Sequence, residues 1–148
     1  MFRTFKVGIT FIIIALLLTG LAACTTEAVP KLSVLGPWAR PAAAGGNAAV
    51  YLTIINKGKV SDALIGASSN VAETVNIHET RMEGDVMSMV PMPRIEVPAE
   101  GRTELKTSGF HVMLVGLKRD LNSGNTLGVT LHFEKSVEII VEAKVGEP

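Results

Sequence analysis

The chain predicts an all-β domain, a β-sandwich of about seven to nine short strands. Three observations predict it. Apolar and polar residues alternate with a period of two over several short stretches, the spacing of half-buried strands. Fourteen Gly and seven Pro supply the turn chemistry between them. No stretch beyond residue 23 carries a helical period over three turns. Short strands with one apolar face must pack as layers around a shared core.

The N-terminus stands apart. Arg3 and Lys6 precede an apolar run from Val7 to Leu18, followed by the small residues Gly20, Ala22 and Ala23. This is the tripartite pattern of a secretion signal, and the run is short for a stable membrane span. It closes on Leu21-Ala22-Ala23-Cys24, which resembles the lipobox of bacterial lipoproteins. The resemblance implies cleavage before Cys24 and a lipid on its thiol, giving a signal peptide over residues 1–23. An N-terminus carrying two or more acyl chains binds a membrane stably, where a single chain does so only reversibly. Cys24 is the only cysteine, so an acylated Cys24 excludes both disulfides and a cysteine-ligated metal.

Residues 24–31 read as a tether and residues 32–146 as the domain. Strands are expected over Ala49–Asn56, which ends at the turn Asn56-Lys57-Gly58, and over Ala63–Ala67. Val75 and Ile77 point to the core and His78 away from it. Ile95 and Val97 form a run stopped by Pro98, and Thr103–Lys106 follows a turn at Glu100-Gly101. Phe110, Val112 and Leu114 alternate with His111, Met113 and Val115. A closing hairpin pairs Val129, Leu131 and Phe133 with Val137, Ile139, Val141 and Ala143.

Composition narrows the function. Hydrophobic residues make up 47% and charged ones 19%, which is globular rather than disordered. Fourteen basic residues balance fourteen acidic ones, and loss of residues 1–23 leaves twelve against fourteen. That is no cationic field for nucleic acid. A thiol nucleophile, a GxSxG elbow and paired carboxylates beside a histidine are all missing from the pattern, so the reading is of a protein that is not an enzyme.

Methionine carries the chemistry. Four of the six methionines fall between Met82 and Met92, and core filler is their ordinary role. Met113, however, shares a strand face with His111, opposite Phe110, Val112 and Leu114. Met87 and Met89 likewise share a face. Glu83-Gly84-Asp85 is the only turn signal between His78 and Met89. A two-residue loop at Glu83-Gly84 would set His78 directly across from Met89. A four-residue loop would set Thr80 across from Met89, with His78 one step along on the same face. Directly opposed residues have Cβ atoms about 5 Å apart, close enough to share a metal. Thioether sulfur is a poor ligand for Zn²⁺, Mg²⁺ or Ca²⁺, and thioether plus imidazole suits Cu(I). Blue-copper electron transfer normally needs a Cys thiolate, which is already used at the N-terminus.

These residues resemble a known family. His78, ten residues, Met89, twenty-one residues, then His111-Val112-Met113 is similar to the H-x10-M-x21-H-x-M signature of the PCu(A)C periplasmic copper chaperones. The flanks match as well: Gly46-Asn47-Ala48-Ala49-Val50-Tyr51-Leu52, Arg94-Ile95-Glu96-Val97-Pro98, and Gly109-Phe110 before His111. The resemblance runs from about Trp38 to Val145. It implies a cupredoxin-like sandwich holding one Cu(I) on His78, Met89, His111 and Met113. It further implies delivery to the copper centre of a terminal (cytochrome c) oxidase, often beside a Sco-type thiol protein. Many members carry Met after the first His, where this chain has Glu79. Some members also carry a His/Met-rich tail that binds a second copper; with Gly146-Glu147-Pro148 in that place, no such tail site is expected here. A copper-sequestering protein without a delivery partner, and a metal-free lipid-anchored interaction module, stay open beside this reading. The expected protein is a monomer, extracytoplasmic and membrane-attached through Cys24.

The remaining candidates have plainer expectations. His132 reads as a surface residue and Trp38 as a core anchor. Met82, Met87 and Met92 are spare sulfurs near the site, and Glu79 and Asp85 are solvated.

Overall fold

The computed structural model describes residues 28–147. The signal segment and Cys24 lie outside the described residues. Ten strands form, one more than the upper expectation: β1 (Leu32–Ala39), β2 (Asn47–Asn56), β3 (Asp62–Ser68), β4 (Ala72–Glu83), β5 (Val86–Pro91), β6 (Ile95–Val97), β7 (Gly101–Leu105), β8 (Phe110–Leu117), β9 (Thr126–Phe133) and β10 (Ile139–Val145). They form one ladder in the order β5-β4-β8-β7-β2-β1-β10-β9-β3-β6, and β8 also pairs directly with β2. Most pairings are antiparallel; β1 runs parallel to β10, and β7 meets β8 in a single parallel pair.

The ladder folds over on itself because its apolar face must be covered. Val50 and Ile54 of β2, Ile77 of β4, and Val112 and Leu114 of β8 share one buried cluster with residues from the other half of the ladder. These are Leu64 of β3, Val97 of β6, Val129 and Leu131 of β9, and Ala143 of β10. Burying side chains of this size stabilises by about 1.5–3 kcal/mol each relative to exposure. Alternation along β9 and β10 is as expected, with Val129, Leu131, Val141 and Ala143 buried. Val137 is a correction. It lies in the connection before β10 and is 86% exposed, because Lys135 and Ser136 are drawn away to Asp62 instead of turning tightly. Asp62 accepts from the backbone N–H of Lys135 and Ser136, both at 2.9 Å.

A second polar anchor fixes where the chain enters the domain. Asn56 is 1% exposed. Its Oδ1 accepts from the N–H groups of Gly58 (2.9 Å) and Lys31 (3.1 Å), and its Nδ2 donates to the Val60 carbonyl at 2.8 Å. Residues 29–31 therefore lie against the Asn56-Lys57-Gly58 turn. A Cβ on Gly58 would sit 2.5 Å from the Val29 carbonyl oxygen, so only glycine permits this approach.

Candidate metal centre

Three neighbouring strands, β5, β4 and β8, carry the expected donors. In the β4–β5 hairpin Glu83 pairs with Val86, so the loop is the two residues Gly84-Asp85, one position later than Glu83-Gly84. Gly84 takes φ 64°, the positive φ that the first position of a type II′ turn requires. The resulting register sets Thr80 opposite Met89 and His78 opposite Pro91. This is the pairing expected of a four-residue loop, reached with a two-residue one. His78 and Met89 stay on one face, diagonal rather than directly opposed.

Strand β8 lies directly against β4, and its register sets His78 opposite His111 and Asn76 opposite Met113. The two imidazole centroids are 5.8 Å apart, ring planes at 75°. Along β4, Met113 thus flanks the histidine pair on one side and Met89 on the other. All four share the sheet face turned away from Ile77 and Val112. His111 is 2% exposed and Met89 is 52% exposed, while His78 and Met113 are half-buried. One donor is therefore covered and one open to solvent.

The imidazoles show what this face is suited to hold. His111 Nδ1 donates to the Gly109 carbonyl at 3.1 Å, and the same carbonyl accepts the Thr80 N–H at 3.0 Å. With Nδ1 protonated, Nε2 of the neutral ring carries a free lone pair. That Nε2 is buried and has no hydrogen-bond partner, and Nδ1 of His78 is buried and unpartnered in the same way. Buried polar atoms are ordinarily paired, because leaving one unmade costs about 1–3 kcal/mol. Two orphaned imidazole nitrogens side by side fit a soft or borderline cation as the missing partner. Burial, and then the neighbouring charge of His111, hold the His78 pKa below its ordinary value. The ring is therefore kept in the neutral form that binds metal.

Hard-ligand chemistry is not supported here. Among the described residues, no three His, Cys, Asp or Glu side chains come together as a metal site. Glu79, beside His78, points to the opposite sheet face and pairs with Arg81 Nε at 2.7 Å.

The other expectations divide. His132 is tied down rather than merely superficial, with Nδ1 against Glu138 Oε1 at 2.7 Å and Nε2 against Ser68 Oγ at 3.0 Å. Both its nitrogens are occupied. Met92 packs against the core cluster, so it is not a spare donor. Trp38 is half-buried and stacks on Tyr51 at 4.7 Å; Tyr51 in turn lies 6.3 Å from His111. Tyr51 is a wall of the site that the sequence pattern did not single out, brought there by the β2–β8 pairing that sets Ala49 opposite Met113.

Comparison with known proteins bears on the family and the fold. Residues 32–145 match the family model LpqE-like, described as "Putative lipoprotein LpqE-like". Uncharacterized protein RP573 of Rickettsia prowazekii is 32% identical over 118 residues, 74% of this chain, and the chain spans 64% of that protein's length. The copper-bound PCuAC domain from PmoF2 superposes with a TM-score of 0.68 at 28% identity, covering 82% of this chain and 97% of that domain. The Cu(I) form of DR1885 from Deinococcus radiodurans gives 0.54 at 34% identity, covering 82% of each.

Proposed function

The chain belongs to the LpqE-like family, and on that footing we propose that it is a lipid-anchored, extracytoplasmic carrier of one Cu(I), bound by His78, His111, Met113 and Met89. The observation that supports this most directly is the pair of buried, unpartnered nitrogens on His78 and His111, flanked by thioethers on the same face. The ion is cargo. Thioethers carry no charge and release no proton on binding, so a partner offering thiolate or imidazole can displace them one at a time. Met89, half-exposed on the outermost strand, is the first to yield; His111, covered and locked by Gly109, is the last.

In this reading the recipient is the copper centre of a terminal oxidase, with a Sco-type thiol protein as a second acceptor or donor. It is a transfer function and not a catalytic one. The decisive experiment is X-ray absorption on the Cu(I)-loaded protein. Two nitrogen and two sulfur neighbours are expected, and an all-oxygen or all-nitrogen shell would refute the assignment. Met89→Ala with Met113→Ala should abolish retention of Cu(I) against a chromophoric chelator while leaving the far-ultraviolet circular dichroism unchanged. Transfer of Cu(I) to an apo-oxidase copper domain, monitored by its visible spectrum, tests delivery.

A further inference from the structure

Two methionines remain that the four-donor site does not use. Met82 and Met87 are directly opposed across the β4–β5 hairpin, and they are 60% and 59% exposed. Met82 lies four residues beyond His78 on β4, and Met87 two residues before Met89 on β5, so all of these share one sheet face. In order along that face from the hairpin tip come the Met82–Met87 pair, Met89 and the histidine pair. Met89 adjoins both groups.

Exposure of this kind needs a reason. Three flexible thioether chains stand in water on one face of one hairpin, whereas the wet face of β10 sets a single exposed apolar residue, Ile140, beside the charged Glu142 and Lys144. Core packing does not explain Met82 and Met87, since neither belongs to the apolar cluster, whereas Met92 does. Opposed strand residues have Cβ atoms about 5 Å apart, and two methionine chains from that spacing can converge on one ion. A neutral, soft donor set with no imidazole or carboxylate selects a monovalent soft cation over Zn²⁺, Ca²⁺ or Mg²⁺.

We propose that Met82 and Met87, with Met89 as a shared third thioether, form a second and weaker site for a soft monovalent cation at the hairpin tip. Cu(I) lands there and leaves there on its way to and from the histidine pair. The role in transit rests on the carrier reading above; the existence of the tip site does not.

The test uses Ag(I), a redox-inert soft monovalent cation, and the methionine methyl resonances in ¹H–¹³C spectra. In wild-type protein the first equivalent should shift Met113 and Met89, and further Ag(I) should shift Met82 and Met87 saturably, with Met92 unmoved. In His78→Ala/His111→Ala the Met113 response should disappear while those of Met82, Met87 and the shared Met89 persist. In Met82→Leu/Met87→Leu the first equivalent should bind with unchanged affinity, and its transfer to a chelator should slow. Met82 and Met87 silent in both the wild type and the histidine variant would overturn the tip site. A uniform shift of every methionine, Met92 included, would overturn it as unspecific thioether binding. Silence of Met113 with a response at Met82 and Met87 would instead sink the carrier reading and leave the tip site standing.

Discussion

At the scale of single residues, the site depends on which nitrogen of each imidazole is free and on whether it is charged. Gly109 decides the first for His111, its carbonyl accepting the hydrogen bond from Nδ1–H and so keeping the proton there. Burial and His111 decide the second for His78 by holding its pKa below 6.5. The pH consequence has a definite sign. A proton competes with Cu(I) for His78 only once the pH falls below that depressed value, so the His78 contribution to copper affinity should hold from pH 8 through the ordinary imidazole range and fall in more acid solution. Competition titrations against a chelator at several pH values would measure this, and an affinity flat down to pH 4 would exclude imidazole ligation. The metal-free protein follows the same linkage. With the folded-state pKa below the unfolded one, the unfolded chain binds more protons between the two values, and stability drops as pH falls through that window.

Residue types and spacings carried most of this site. The two fixed intervals and the parity of His111 and Met113 were legible because period-two alternation assigns a face to each residue without any tertiary knowledge. The hairpin register was legible only as alternatives, since Glu83-Gly84-Asp85 admits more than one turn; the loop that forms, Gly84-Asp85, was neither placement expected, though its register is that of the four-residue loop. The burial of His111 was not legible. Tyr51 on β2 lies 6.3 Å from its ring, brought alongside by a β2–β8 pairing between residues some sixty apart in sequence.

At the scale of elements, two polar anchors hold strands whose ends would otherwise fray. Asp62 is buried, which raises its carboxyl pKa. Hydrogen bonds from Ser136 and from the backbone N–H groups of Ala63 and Lys135 outweigh this, so the net pKa lies below its ordinary value. Its contribution is therefore present above the unfolded-state pKa near 3.8 and lost as pH falls through the lower folded value. Asp62→Asn should cost about 1–3 kcal/mol at neutral pH and flatten the acid limb of a stability–pH curve obtained by urea unfolding. The second anchor is Asn56, whose Oδ1 accepts the Gly58 N–H; Gly58 makes the docking of residues 29–31 possible. Its would-be Cβ meets backbone atoms of Val29, Pro30 and Lys31, which cannot rotate aside. Gly58→Ala should lower stability by about 1–3 kcal/mol, measured by thermal unfolding, with copper affinity unchanged. The turn itself was readable in Asn56-Lys57-Gly58. The docking of residues 29–31 onto it was not, because no pattern within so short a segment announces which distant turn will accept it.

At the scale of the whole molecule, the sandwich was predictable and its strand count nearly so. The ladder order was not, since alternation sets faces and leaves partners open. Attachment to a membrane is testable at this scale as well. Cys24→Ser should move the protein from the membrane pellet to the soluble fraction on cell fractionation, with Cu(I) binding by the purified domain unaltered. The anchor at Asn56 gives that attachment a direction. On β2, Val50 pairs with Val112, which brings Tyr51 level with His111. Asn56 is five residues further along the same strand, about 17 Å at roughly 3.4 Å per residue. In the proposed anchoring through Cys24, the described chain enters the domain beside Asn56, at the far end of β2 from the histidine pair, so the domain itself would be the spacer. A docking protein would then find the four donors held clear of the headgroups, at a height set by the length of one strand.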